Sequence, residues 1–191
     1  MAEPRARSPL AVAPPIVHPS LAATEVALEA KIAVRGRDAT PALVEALTAA
    51  LGTPPPTVPN TVASAGDRTI LWLGPGEWRV VGPPDHAPAL LSALQAAVPR
   101  RLAGVADVSD FYTTIRLAGA GAPVVLAQGC PLDLHPRALG TGQCAQSLLG
   151  AVDVLLHRRD DAPTFDLQVR WSHAAHLWAW LAVAINALPA T

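Results

Sequence analysis

The sequence predicts an α+β fold in which one sheet-and-helix unit occurs twice. Three observations carry this reading. Strand-like and helix-like segments follow one another in the same order in both halves. The helix-like segments are amphipathic and carry start and stop residues. Glycine-centred turns separate the strands. The chain of 191 residues is long enough for one domain, or two small ones, with a real core.

Taken in order, "MAEPRARSPLAVAPPIVHPS" is interrupted by Pro9, Pro14 and Pro15, so it lacks the continuous apolar run of a signal peptide. The expectation is an extended proline-rich arm over residues 1–24, ahead of a single domain over residues 25–191. "VALEAKIAVRG" reads as a strand. "TPALVEALTAALG" reads as a helix, with Thr40 as N-cap, Pro41 in the first position and Gly52 as the stop. Leu43, Val44, Leu47 and Leu51 then share its inner face. "TVASAGDRTILWLGPGEWRVVG" gives strands joined by the turns "AGD" and "GPGE". "DHAPALLSALQAAVP" gives a second helix with Leu90, Leu91, Leu94 and Val98 inward.

The second half follows the same plan. "GVADVSDFYTTIRLAG" reads as two strands around a turn at Ser109–Asp110, and "GAPVVLAQG" as a short helix. Strands fill "AQSLLGAVDVLLHRRDDAPTFDLQVRWS", and "HAAHLWAWLAVAINAL" closes the chain as a helix. The two repeats therefore cover about 28–100 and 103–189.

Hydrophobic residues make up 51% of the chain and charged residues only 15%, which leaves apolar surface to be covered by a partner. The formal net charge of −1 provides no general attraction for nucleic acid or an anionic membrane. Arg100–Arg101 and Arg158–Arg159 read as solvated turns. No apolar run reaches the roughly 20 residues that span a bilayer. The expected compartment is the cytoplasm, where a disulfide between Cys130 and Cys144 is disfavoured.

The stretch "GCPLDLHPRALGTGQC" holds both cysteines. Cys130, Asp133, His135 and Cys144 form a candidate zinc set, but structural zinc sites close with paired cysteines two to four residues apart, and these stand alone. A Cys130 nucleophile would need a remote base such as His157. The favoured reading is a loop whose cysteines are small buried hydrophobes and whose Asp133 and His135 bond the backbone at turns. "LGPGEW" lacks the Lys-Ser/Thr pair of a phosphate loop and reads as a tight turn. Ser109 and Asp110 read as turn formers, and Asp107 as the anchor of a loop. No strand–G-x-G-x-x-G–helix unit is present to hold a dinucleotide.

The closing helix is apolar almost all round, with His176 and Asn186 as its breaks. Trp178 and Trp180 lie about 200° apart at helical period, so one is expected in the core and the other against a partner. The candidate interface is Trp178, Trp180 and His176, with Pro14 and Pro15 of the arm.

The stretches "RSPL", "VPNTVASAGDRTILWLGPGEWRVV", "VADVSDFYTTIRL", "GCPLDLHPRALGTGQCAQSLL" and "FDLQVRWSHAAHLWAWL" resemble, in order and spacing, the gamma subunit of heterotetrameric sarcosine oxidase. The resemblance implies a fold like the folate-binding domain of the glycine-cleavage T-protein, which contains a pseudo-duplication. It also implies a non-catalytic assembly subunit with alpha, beta and delta partners. The complex would demethylate sarcosine oxidatively to glycine, forming hydrogen peroxide and, with tetrahydrofolate, methylenetetrahydrofolate. By the same resemblance this chain binds no cofactor and supplies no catalytic residue, while FAD, FMN, NAD, tetrahydrofolate and zinc belong to other subunits. The alternative is a free-standing folate-binding or aminomethyltransferase-like protein, which would need a folate-contacting carboxylate in a cleft.

Overall fold

The computed structural model describes residues 7–189. In chain order its strands are β1 (Ile16–His18), β2 (Leu21–Val26), β3 (Ala30–Gly36), β4 (Val62–Ala65), β5 (Arg68–Gly74), β6 (Glu77–Gly82), β7 (Ala103–Asp107), β8 (Tyr112–Ala118), β9 (Gln143–Leu149), β10 (Val152–Arg158) and β11 (Thr164–Arg170). The helices are α1 (Pro41–Leu51), α2 (Ala87–Ala97), α3 (Ala122–Ala127) and α4 (Trp171–Asn186). They divide between two units, residues 29–110 with 142–145, and the remainder.

In the unit built on residues 29–110, helix α1 shows how local signals set an element. The Thr40 side chain accepts from the Leu43 N–H, Pro41 occupies a position that needs no N–H, and Gly52 closes the helix at φ 73° with its N–H on the Thr48 carbonyl. A side chain would be strained there. The five-stranded sheet runs β4–β5–β6–β3–β7, and each neighbouring pair is antiparallel. Leu43, Leu47, Leu90 and Leu94 of the helices pack on Ile32, Val34, Ile70, Trp78 and Val80 of the strands. Val44 and Leu91, expected inward, are half-buried at the edge of their helical stripes. The Trp78 indole N–H donates to the Pro56 carbonyl at 2.7 Å, so its one polar atom is satisfied inside the core. Gly76 in the "GPGE" turn has φ 73°, and a Cβ there would meet the Asp38 backbone at 2.7 Å; only glycine fits.

The other unit has a six-stranded sheet, β1–β2–β8–β11–β10–β9. Its core joins Ile115, Leu117, Phe165, Leu167 and Val169 of the strands to Val125, Leu126, Leu177, Leu181 and Ile185 of the helices. Helix α4 packs against β1, β8, β11 and α3.

The duplication is visible in the sheet orders. Strands β3, β4, β5 and β6 lie as 4–5–6–3, and β8, β9, β10 and β11 as 9–10–11–8, so the two series correspond strand for strand. The additional strand beside β3 is β7, and the one beside β8 is β2. Each repeat therefore takes its additional strand from the segment leading into the other, because β2 directly precedes β3 in the chain and β7 directly precedes β8.

Two expectations about the leading segment are corrected. Residues 16–24, assigned to the arm, form β1 and most of β2, and β2 pairs with β8 from Ala22↔Ala118 to Val26↔Thr114. Leu10, Leu21 and Ala23 are buried, so the segment supplies core side chains. The single strand expected over 26–36 is broken at Leu28, whose φ of 59° turns the chain between β2 and β3. Residues 1–6 of the expected arm lie outside the described residues.

Candidate functional site

Helix α4 contains no Asp, Glu, Lys or Arg across its 16 residues. It forms because alanine and leucine favour helix, and because Ala174, Leu177, Leu181, Ala184 and Ile185 recur at helical spacing and are buried. It begins at Trp171, two residues earlier than the sequence reading. Its opposite face presents Ala175, His176, Ala179 and Val183 to solvent, with Val183 72% exposed. This is an uncharged outward face, unlike the polar face of an ordinary surface helix. The neighbouring strand β1 is led into by the exposed Pro14 and Pro15; its exposed Val17 pairs with Ala22 and so lies on the sheet face opposite the Ile16–Ala23–Leu117 row that faces the core.

Neither of the two tryptophans expected to divide between core and partner is fully buried. Both are half-buried, one on each border of the inward stripe. The Trp180 indole lies on two glycines: a Cβ at Gly129 would come within 2.6 Å of it, and one at Gly150 within 2.9 Å. The Gly150 N–H donates to the Gly129 carbonyl at 3.3 Å, which joins those glycines into one floor for the ring. Trp180 is thus bound into the fold, whereas His176 stands on the open face. An aromatic contact the sequence reading missed lies at the start of the helix: the Arg170 guanidinium is 5.3 Å from the Phe111 ring centroid, and that ring is half-exposed.

The loop between the cysteines does not assemble its four candidate ligands. Cys130 is buried, with Ser147 Oγ 3.6 Å from its Sγ. Cys144 belongs to the other unit, where its Sγ meets the Trp72 carbonyl at 3.3 Å. Burial pushes that thiol up to about 12. Asp133 accepts the His135 backbone N–H at 2.9 Å, and this bond, helped by Arg137, holds its carboxyl below the usual range. His135 Nδ1 accepts the Arg137 N–H at 3.2 Å, so both side chains shape turns. Among the described residues no group of three or more His, Cys, Asp and Glu side chains is placed to hold a metal ion.

Two further residues sit differently from their sequence reading. Arg158, expected in a solvated turn, ends β10 and is buried. His157, named as a remote base, faces Asp166 across the β10–β11 pair. Asp166 is buried and held by Arg116 at 2.7 and 2.9 Å and by Arg159 at 2.9 Å. Burial, ahead of the opposing pull of Asp166 and the push of the two arginines, lowers His157 to about 4. It is a neutral, buried strand residue. Ser109 likewise has a structural task. It donates to Asp107 at 2.5 Å and accepts the Lys31 N–H at 2.9 Å, tying the end of β7 to β3. No helix among the described residues is long and apolar enough to cross a membrane.

Comparison with known proteins places these features in a family. Residues 35–187 match the model of the "Sarcosine oxidase, gamma subunit family". The sarcosine oxidase subunit gamma of an Arthrobacter species is 37% identical over 142 residues, 74% of this chain and 68% of that one. The protein of the same name from Corynebacterium sp. (strain P-1) is 35% identical over the same coverage. A chain of the heterotetrameric sarcosine oxidase from Corynebacterium sp. U-96, solved with pyrrole 2-carboxylate, matches at TM-score 0.85 and 30% identity over 95% of both chains. Aminomethyltransferase T of the glycine cleavage system from Bartonella henselae matches at TM-score 0.63 and 18% identity, covering 86% of this chain and 46% of that one. The last likeness shows the shared fold alone.

Proposed function

The chain belongs to the sarcosine oxidase gamma subunit family, and on that premise we propose that its task within the heterotetramer is assembly rather than catalysis. The observation that carries this reading is the uncharged outward face of α4, where an exposed valine and alanines occupy the side of the helix that solvent normally claims for charge. His176 and Val183 form the centre of the proposed interface. Pro14 and Pro15, exposed ahead of β1, extend it, and Trp178 borders it. Trp180 supports it from within the fold.

In this reading the complex is cytoplasmic, with alpha, beta and delta chains as partners. It converts sarcosine to glycine by oxidative demethylation, releasing hydrogen peroxide and passing the one-carbon unit to tetrahydrofolate. FAD, FMN and NAD are carried by the alpha and beta chains and zinc by delta; this chain carries none of them. The polar clusters support that assignment. Asp107 with Ser109, Asp133 with His135, and Asp166 with its two arginines are each engaged in bonds that hold strands or turns. The test is co-expression with the three other subunits. One copy of this chain should co-purify per complex, while the chain purified alone should be colourless and should not oxidise sarcosine. A stoichiometric flavin spectrum from the isolated chain would overturn the assignment.

A further inference from the structure

We propose that a cavity beside α3 binds a small monocarboxylate with an apolar tail. The cavity measures about 700 Å³ and lies between α3, the loop after it and the β10–β11 turn. That is within the range of small-molecule sites. Its walls are apolar and include Val124, Ala127, Leu132, Leu134 and Pro163. Its lining includes one arginine, Arg158, which is only 5% exposed.

Arg158 is held in place without being neutralised. Its Nη1 donates to the Leu139 carbonyl at 3.0 Å and its Nε to the Asp160 carbonyl at 3.4 Å, and its guanidinium lies 5.9 Å from the Phe165 ring centroid. None of the ion pairs among the described residues includes it, and its Nη2 makes no hydrogen bond there. A buried guanidinium without a counter-ion is costly, and its planar donor edge matches a carboxylate.

The rim sets the charge of the ligand. Asp133 and Asp161 also line the cavity. Asp133 is engaged by Arg137 at 3.4 Å and by the His135 N–H, and Asp161 accepts from the Thr141 hydroxyl at 2.6 Å. Two carboxylates near the mouth oppose a dianion such as a phosphate monoester, while a single carboxylate reaching Arg158 past them gains a fixed cation. The same chemistry is offered by a free aliphatic acid and by the terminal carboxylate of a peptide ending in an apolar residue.

The test is titration calorimetry on the full chain with hexanoate, hexanamide, N-acetyl-leucine and inorganic phosphate. At least one of the two carboxylates should bind about tenfold more tightly than hexanamide. Preference for hexanoate assigns the site to a free acid, and preference for N-acetyl-leucine to a chain terminus. Arg158→Gln should remove the advantage over hexanamide. Val124→Trp, at a half-exposed wall position, should block binding without lowering the melting temperature. The second variant decides the matter if the first does not fold. Equal binding of hexanamide, binding of phosphate in place of the carboxylates, no binding of either carboxylate, or binding that survives Val124→Trp would each overturn the proposal.

Discussion

Replacing Gly129 by alanine tests the packing of α4 directly. The added Cβ would lie 2.6 and 2.9 Å from the Trp180 ring and 3.0 Å from the Gly150 nitrogen. Carbon contacts settle at about 3.5–4.0 Å, so the methyl sits roughly 1 Å too close to the ring. The ring has little room to yield, because Gly150 lies equally tight beneath its other half. Overpacking of this kind costs about 1–3 kcal/mol. Trp180→Ala alone should cost about 3 kcal/mol, the low end of the range for aromatic truncation because the ring is half-buried. In the Trp180→Ala background the ring is gone and only the 3.0 Å contact with the Gly150 nitrogen remains. Gly129→Ala should there be close to neutral, the up to about 1 kcal/mol gained from reduced freedom of the unfolded chain offsetting that remaining contact. The coupling energy is therefore about 1–3 kcal/mol. It is measured by urea unfolding of the four variants followed by far-UV circular dichroism. If Gly129→Ala costs the same in both backgrounds, the ring does not rest on Gly129 and the account of this packing is wrong.

Two predictions concern buried titratable groups. The folded chain holds His157 near 4, while an unfolded histidine takes up its proton below about 6.5, so its contribution to stability is complete above 6.5 and fades as pH falls from 6.5 toward 4. Parent and His157→Gln should thus differ in their loss of unfolding free energy between pH 7.5 and pH 4.5 by about 2.5 kcal/mol, the parent losing more; parallel curves would show that His157 is not buried as a neutral ring. Cys144, with its thiol raised to about 12, should stay unlabelled by iodoacetamide at pH 8 in the native chain and react fully in urea, and peptide mapping that finds native labelling at Cys144 would contradict its placement.

What was legible in the sequence follows the range of the interactions. Helix α1 was readable because Thr40, Pro41 and Gly52 act within a few residues of what they cap. The turns at Gly66 and Gly76 were readable because their positive φ selects glycine. Strands β1 and β2 were hidden by the prolines around them, since β2 takes its place by pairing with β8, nearly 100 residues away in the register Ala22↔Ala118, and β1 pairs onto β2. Helical period identified the Leu177–Leu181 stripe, but it could not show that Gly129 and Gly150 leave room for the Trp180 ring. The row His157, Asp166 and Arg116 left no motif because its members come from three strands. Arg158 read as half of a surface pair, and only the loop folded over it, through the Leu139 carbonyl, makes it a buried cation.

The central claim is that this chain joins its complex through the uncharged face of α4, and Val183→Arg tests it most directly. Val183 is exposed, so the substitution should leave the melting temperature of the chain unchanged. A charge placed unpaired in an apolar interface should weaken association by about 3 kcal/mol or more. Native mass spectrometry of the variant co-expressed with the other three subunits should show this chain largely missing from the assembled complex. Retention of Val183→Arg at one copy per complex, as with the parent, would contradict the account.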